Sequence, residues 1–190
     1  MTTPAPAPRR PTPERLTRAA LELFQRRGYH AVGVAEILDR AGCPKGSLYH
    51  HFPGGKAALA EAAISWLAAE MVDHFDTAAA KRIPARKQIT LLFDDTARWV
   101  ADTGYAQGAL LAVMAQEVVP QEPDLSARLG AAYAEAIEAF GRALHAGGAD
   151  AAQAGPILAM LDGAVAQSRA RQSPAPITTA KAAALRLVGG

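Results

Sequence analysis

From Glu14 to Val188 the apolar residues return every three or four positions and nowhere alternate with polar ones for long, and a glycine or proline closes most of the runs. That spacing stacks apolar side chains along one face of a helix, whereas a half-buried strand needs a period of two. Alanine is abundant while Val and Ile are sparse, which favours helix over strand throughout. With 190 residues, half of them hydrophobic, the chain can bury a substantial core. The pattern predicts an all-α protein.

The punctuation divides the chain. Met1 to Pro13 contains five prolines with Ala and Thr, a composition that builds neither helix nor core, so residues 1–13 read as a disordered arm. Its Arg9 and Arg10 read as part of a solvated tail, with DNA contact as the alternative. Leu16, Ala20, Leu23 and Phe24 give a first helix from Glu14 to Arg27, ended by Gly28. Val34, Ile37, Leu38 and Ala41 give a short second helix stopped by Gly42, and Pro44 is suited to the first turn of a third. After Gly54 and Gly55 a longer helix carries Leu59, Ala63, Leu67 and Met71 on one face. Further apolar faces centre on Phe93, on Gly108 to Val119, on Leu129 to Leu144, on Ile157 to Ser168, and on a last helix through Val188. The sum is about nine helices, with Pro156 expected to kink or delay the start of the eighth.

The net charge of +2 hides an asymmetry, since residues 1–56 hold nine Lys or Arg against four acids and residues 57–190 hold eleven against fourteen. A basic head of +5 on a body of −3 suggests that the head meets a polyanion. The N-terminus lacks the apolar centre of a signal peptide and no run is long enough to cross a bilayer, which together with a lone cysteine, Cys43, predicts a cytoplasmic protein.

Two short helices joined by a glycine-containing turn form a helix-turn-helix, whose second helix enters the major groove of DNA. That helix must hold apolar residues inward and hydrogen-bond donors outward. In Pro44-Lys45-Gly46-Ser47-Leu48-Tyr49-His50-His51-Phe52, Leu48 and Phe52 supply the inward pair and Lys45, Ser47, Tyr49 and His50 the donors. Lys56 opens the next helix, where its ammonium suits a phosphate held at the helix end.

With Gly28-Tyr29, the Ile37 stripe, Ala41-Gly42, Lys45-Gly46-Ser47-Leu48-Tyr49, His51-Phe52-Pro53 and Lys56, residues 14–62 resemble the DNA-binding domain of the TetR/AcrR family of transcriptional regulators. The run from Pro44 through Gly54-Gly55-Lys56 is similar to the LmrA/YxaF-like branch. The resemblance implies an N-terminal three-helix domain with the helix-turn-helix at 14–56 and a larger helical ligand-binding and dimerisation domain at 57–190. It implies a homodimer on a double-stranded palindromic DNA operator, released as a repressor by a small apolar or aromatic effector, with no membrane attachment. It places Lys45, Gly46, Ser47, Tyr49, His50 and Lys56 at the DNA, Tyr49 and Lys56 on phosphates. Leu38, Cys43 and Gly33 depart from the alanine, the valine and the capping Ser or Thr common in the family, and the second glycine before Lys56 alters the reach of that lysine.

A pocket in the body is likewise implied by the family. Trp66, Met71, Phe93, Trp99, Tyr105 and Met114 are the side chains suited to lining it for an apolar or aromatic ligand, ordinary core being the alternative for each. The helices spanning Asp150 to Arg171 and Thr178 to Val188, with small Ala159, Gly163, Ala164 and Ser168, are implied as the dimer face. His50 and His51 lack the companions of a metal site, and His51 reads as a partly buried structural residue. Cys43 reads as a small buried turn residue rather than a redox sensor, and Glu70, Asp73 and His74 as a solvated face. No nucleophile with a base, carboxylate pair or metal cluster stands at a meaningful spacing, so neither an enzyme nor a cofactor is expected.

Overall fold

The computed structural model describes residues 11–189, and among them it contains helices and no strand. Met1 to Arg10, including Arg9 and Arg10, lie outside the described residues.

The first helix, α1 (Thr12–Arg27), begins two residues earlier than its apolar pattern. Thr12 and Pro13, expected in the arm, are helical because a proline in the first turn gives up an N–H that would have no partner there. Glu14 in the first turn and Arg26 and Arg27 in the last complement the helix dipole. Gly28 leaves the helix at φ +79°, donating its N–H to the Phe24 carbonyl at 2.8 Å. Next comes α2 (Val34–Ala41), whose buried Ile37 and Leu38 face α1 and whose start has no side-chain cap. Gly42, at φ +60°, lets the chain turn back so that the Cys43 N–H reaches the Leu38 carbonyl at 2.9 Å. The Arg40–Glu22 and Arg27–Glu36 ion pairs then tie α2 to α1, and the Arg27 guanidinium also donates to the Ala31 carbonyl in the turn between them.

The third helix, α3 (Ser47–His51), is only five residues long. Pro44 therefore sits not in its first turn but in the turn before it, where its carbonyl accepts the Ser47 N–H at 3.0 Å. Helix α4 (Gly55–Ala80) runs for 26 residues, about 39 Å at the usual rise. It is followed by α5 (Ala85–Asp102), α6 (Leu110–Val118), α7 (Pro123–Ala146), α8 (Ala154–Arg171) and α9 (Ala175–Leu187). A single 3₁₀ turn at Ala151–Gln153, capped by the Asp150 carboxylate on the Ala152 N–H, precedes α8, so Pro156 falls in the first turn of a helix that it does not interrupt.

Two cores lie end to end along α4. The first joins Leu16, Phe24, Ile37 and Leu48 to Leu59 and Ile64 of α4, and also to Leu110 and Met114 of α6 and Leu125 and Leu129 of α7. The second gathers Phe75, Ile89, Phe93, Phe140, Leu144, Ile157 and Ile177. Here α4 packs along α7, its most extensive partner, with Phe75 stacked on Phe140 at 4.5 Å and Arg142 paired with Asp76. The first core thus contains body helices as well as the first three, and the residue 56/57 division lies inside α4. Head and body are therefore packed side chain against side chain in one core. Among the described residues no helix is long and apolar enough to cross a membrane.

Candidate nucleic-acid interface and effector cavity

Burial of one side chain orients the recognition segment. Leu48 is fully buried, with Phe52 half-buried against the same core, so α3 is pinned along one edge. Lys45, Gly46, Tyr49 and His50 are exposed, Ser47 is half-buried, and Tyr49 keeps 61% of its surface accessible, unusual for an aromatic ring. His51 is exposed rather than partly buried. The core side of so short a helix is filled by Leu48 and Phe52, and the His51 ring lies outside it, edge-on to His50 at 4.7 Å.

Gly46 has ordinary right-handed backbone angles, φ −72° and ψ −17°, and a Cβ built on it meets no atom within 4 Å. Nothing inside the protein requires glycine there, and its outer side is open to a partner's backbone. The second glycine of the pair is different. Gly55 adopts φ +65°, and a Cβ on it would stand 3.4 Å from Cε1 of Tyr49. That contact is an ordinary one, so it is the positive φ at the start of α4 that calls for glycine here.

Lys56 turns toward the protein: its ammonium lies 4.3 Å over the ring of buried Tyr29. Burial lowers its pKa from the usual lysine value, while Glu117 and Glu122 act in the opposite direction. The same surroundings push the Tyr29 phenol up, through burial and the charge of Glu122. Cys43 is half-buried in the turn, with the Arg15 guanidinium 2.8 Å from its Sγ.

Glu117, near the end of α6, makes a connection that sequence patterns did not single out. Its carboxylate accepts the His30 backbone N–H at 2.9 Å, and its own carbonyl lies 3.2 Å from the His30 ring. A Cβ on Gly28 would fall 1.7 Å from Glu117 Oε1, so the glycine makes room for this carboxylate as well as supplying the positive φ. A second tie runs from the Gly108 N–H to the Gln25 carbonyl at 2.9 Å.

In the body a cavity of about 270 Å³ lies among α4, α5, α6, α7 and α8, and Gln25 of α1 reaches its wall. Of the six side chains picked from the sequence, Met71 and Trp99 line it. Phe93 and Met114 are fully buried in the two cores, Tyr105 packs against the second core, and Trp66 lies beneath the Arg18 guanidinium at 4.7 Å. None of these four lines the cavity. Leu67, Leu92, Leu161, Tyr133 and Asp162 do, and the Tyr133 hydroxyl donates to Asp162 Oδ2 at 2.9 Å. A sequence signal for that pair existed: Asp162 is an acid embedded between Leu161 and Val165 in an otherwise apolar stripe.

On the other side of α8, Ala159 and Gly163 are exposed beside Met160, Pro176 and Ala180, forming a shallow groove with α9. Ala164, grouped with them in the sequence, is nearly buried at the floor of that groove, and Ser168 is fully buried within the chain instead. Ser168 falls on the side of α8 that packs internally.

A buried anchor under an exposed row of donors, on a short helix after a glycine turn, defines a helix-turn-helix DNA-binding regulator. Residues 16–63 match the family model described as bacterial regulatory proteins, tetR family, and residues 85–183 match that of the transcriptional regulator LmrA/YxaF-like C-terminal domain. The chain belongs to the TetR family of DNA-binding transcriptional regulators, in its LmrA/YxaF-like branch. It is 50% identical over 52 residues to the HTH-type transcriptional regulator LmrA of Bacillus subtilis, a match covering 27% of this chain and 28% of LmrA. It is 33% identical over 118 residues to the transcriptional regulator AcuR of Cereibacter sphaeroides, covering 60% and 52% of the two chains. The chain thus spans under a third of LmrA and about half of AcuR in these matches. Among solved structures it superposes on a regulatory protein TetR from Rhodobacter sphaeroides with a TM-score of 0.77 at 25% identity, over 92% of this chain and 97% of that one. Reduced NemR of E. coli shares the fold, with a TM-score of 0.79 at 24% identity over 93% and 97%.

Proposed function

We propose that this regulator is a homodimeric repressor that leaves a palindromic operator when an apolar or aromatic small molecule fills the cavity between α4 and α8. The observation that carries the reading is the shared wall: Gln25 belongs to α1 of the DNA-binding head, yet it lines a cavity otherwise built by the body. Leu110 and Leu111 of α6 also line it, and the same helix ends at the Glu117 contact with His30. A ligand pressing on α6 displaces Glu117 and with it the Gly28-to-His30 loop on which Lys56 rests through Tyr29. Coupling of about 1–3 kcal/mol between the two sites is enough for such a switch.

In this reading Lys45, Ser47 and His50 meet base edges or phosphates, Gly46 allows close approach, and Tyr49 and Lys56 hold phosphates. The head comprises residues 14–56, and residues 57–190 form the ligand-binding and dimerisation body. The α8–α9 groove around Ala159 and Gly163 is the dimer face, and two copies set their recognition helices roughly 34 Å apart. The protein works in the cytoplasm, where the DNA is. Selection of bound fragments from random DNA tests this directly. Inverted repeats with half-sites about one helical turn apart are expected, and single, non-repeated sites would refute the dimeric reading.

A further inference from the structure

The cavity combines apolar walls with a small set of polar groups, among which acceptors predominate. Its walls are apolar, with Leu67, Met71, Leu92 and Leu161 around the Trp99 ring. Against these stand Thr96, Tyr133, Asp162 and Gln25, whose amide can donate as well as accept. The Thr96 hydroxyl proton is committed to the Leu92 carbonyl at 2.7 Å, and the Tyr133 proton to Asp162 Oδ2 at 2.9 Å. What these two hydroxyls offer a ligand is oxygen lone pairs. Asp162 Oδ1 accepts no hydrogen bond from the described residues, and the carboxylate forms no ion pair among them.

Charged groups nearby do not change this. Asp162 also borders a second cleft, where Arg26, Arg27, Glu117 and Arg169 stand around the α1–α6–α8 junction. Arg169, two turns along α8, instead directs its Nη2 to the Ala106 carbonyl at 3.3 Å. The cavity is therefore an apolar chamber in which, beside the Gln25 amide, the hydroxyl oxygens of Thr96 and Tyr133 and the carboxylate of Asp162 are acceptors, and that carboxylate has no cationic partner among the described residues.

Resting on the effector-cavity reading above, we infer that the effector is a hydrophobic amine, whose protonated nitrogen is held by Asp162 beside the Tyr133 oxygen while its apolar part packs against Met71 and Trp99. An ammonium supplies only donors, so it fits a site that supplies acceptors. It also relieves a carboxylate that burial holds above the usual Asp range. A neutral or anionic aromatic of the same shape gains the apolar contacts and leaves Oδ1 without a partner.

Titration of the full-length protein with three compounds of one skeleton, 4-phenylbutylamine, 4-phenylbutan-1-ol and 4-phenylbutyrate, separates the possibilities by calorimetry at neutral pH. The amine is expected to bind about tenfold or more tightly than the alcohol, with the carboxylate weakest. In Asp162→Asn, an isosteric change, the amine is expected to fall to the affinity of the alcohol. An alcohol that matches the amine in the unmodified protein, or a preference for the amine that survives in Asp162→Asn, overturns the inference while leaving the cavity as an effector site. Failure of all three compounds to bind overturns both.

Discussion

The Glu117 carboxylate, on the last helical turn of α6, accepts the His30 backbone N–H at 2.9 Å across the junction between body and head, and Gly28 is the residue that makes room for it. Two residues 87 positions apart are thereby held in one contact. If this contact transmits the effector signal, Glu117→Ala leaves the fold and dimer in place but blunts release. The ratio of operator affinities with and without effector should shrink by about 5-fold or more, the low end of typical coupling. Fluorescence anisotropy on labelled operator measures it, and an unchanged ratio removes Glu117 from the pathway.

Gly28→Ala attacks the same junction from the other side. The new methyl group meets the Glu117 carboxylate and the backbone must keep φ +79°. A cost of about 1–3 kcal/mol is expected from the strained backbone alone, read as a lower denaturation midpoint. The double variant with Glu117→Ala should recover the steric part and keep the backbone part, so the two changes will not add.

On the DNA face, Tyr49→Ala and Lys56→Ala should weaken binding to all sequences and lower the slope of log affinity against log salt by about one unit for Lys56. Tyr49 is exposed, so its replacement should leave thermal stability unchanged, which separates it from Leu48. Leu48→Ala removes a fully buried anchor and should cost about 2–5 kcal/mol. Loss of DNA binding in that variant should accompany a less stable head.

Asp162 gives a pH signature. Burial raises its pKa in the folded chain and the Tyr133 hydrogen bond partly opposes this. A carboxyl whose folded value lies above its unfolded value favours folding while protonated. Its contribution is fully present below the unfolded value and is lost as pH rises through the folded one. Asp162→Asn should therefore be more stable than the parent at neutral pH, with the advantage shrinking as pH falls through the carboxylate range. Thermal midpoints of both proteins across pH 4 to 8, roughly the window of carboxylate titration, test the sign. A parent more stable than the variant at neutral pH contradicts it.

The helices were legible because each has to bury a stripe, and stripes such as Leu16, Ala20, Leu23 and Phe24 are local patterns. The recognition segment was legible for the same reason, since one buried residue, Leu48, dictates which neighbours face out. Cavity walls are different. Phe93 and Trp99 stand on one helix with similar chemistry, yet Phe93 is core and Trp99 lines the chamber, a distinction set by how α5 packs against its neighbours. Nor can a sequence period show that Lys56 turns to Tyr29, or that Glu117 reaches His30, because those contacts bridge residues 27 and 87 positions apart. Asp162 does carry a local signal, a charged residue in an otherwise apolar stripe.

Whether α3 reads the operator is tested by a gel-shift titration of the purified protein and its Tyr49→Ala variant on the DNA upstream of its own gene, with excess non-specific competitor. Saturable binding by the unmodified protein is expected to resist competitor and to be weakened about tenfold or more by the substitution, as for loss of a charge-assisted phosphate contact. Competitor-resistant binding that Tyr49→Ala leaves intact would contradict the assignment of α3 and its exposed face as the surface that reads the operator.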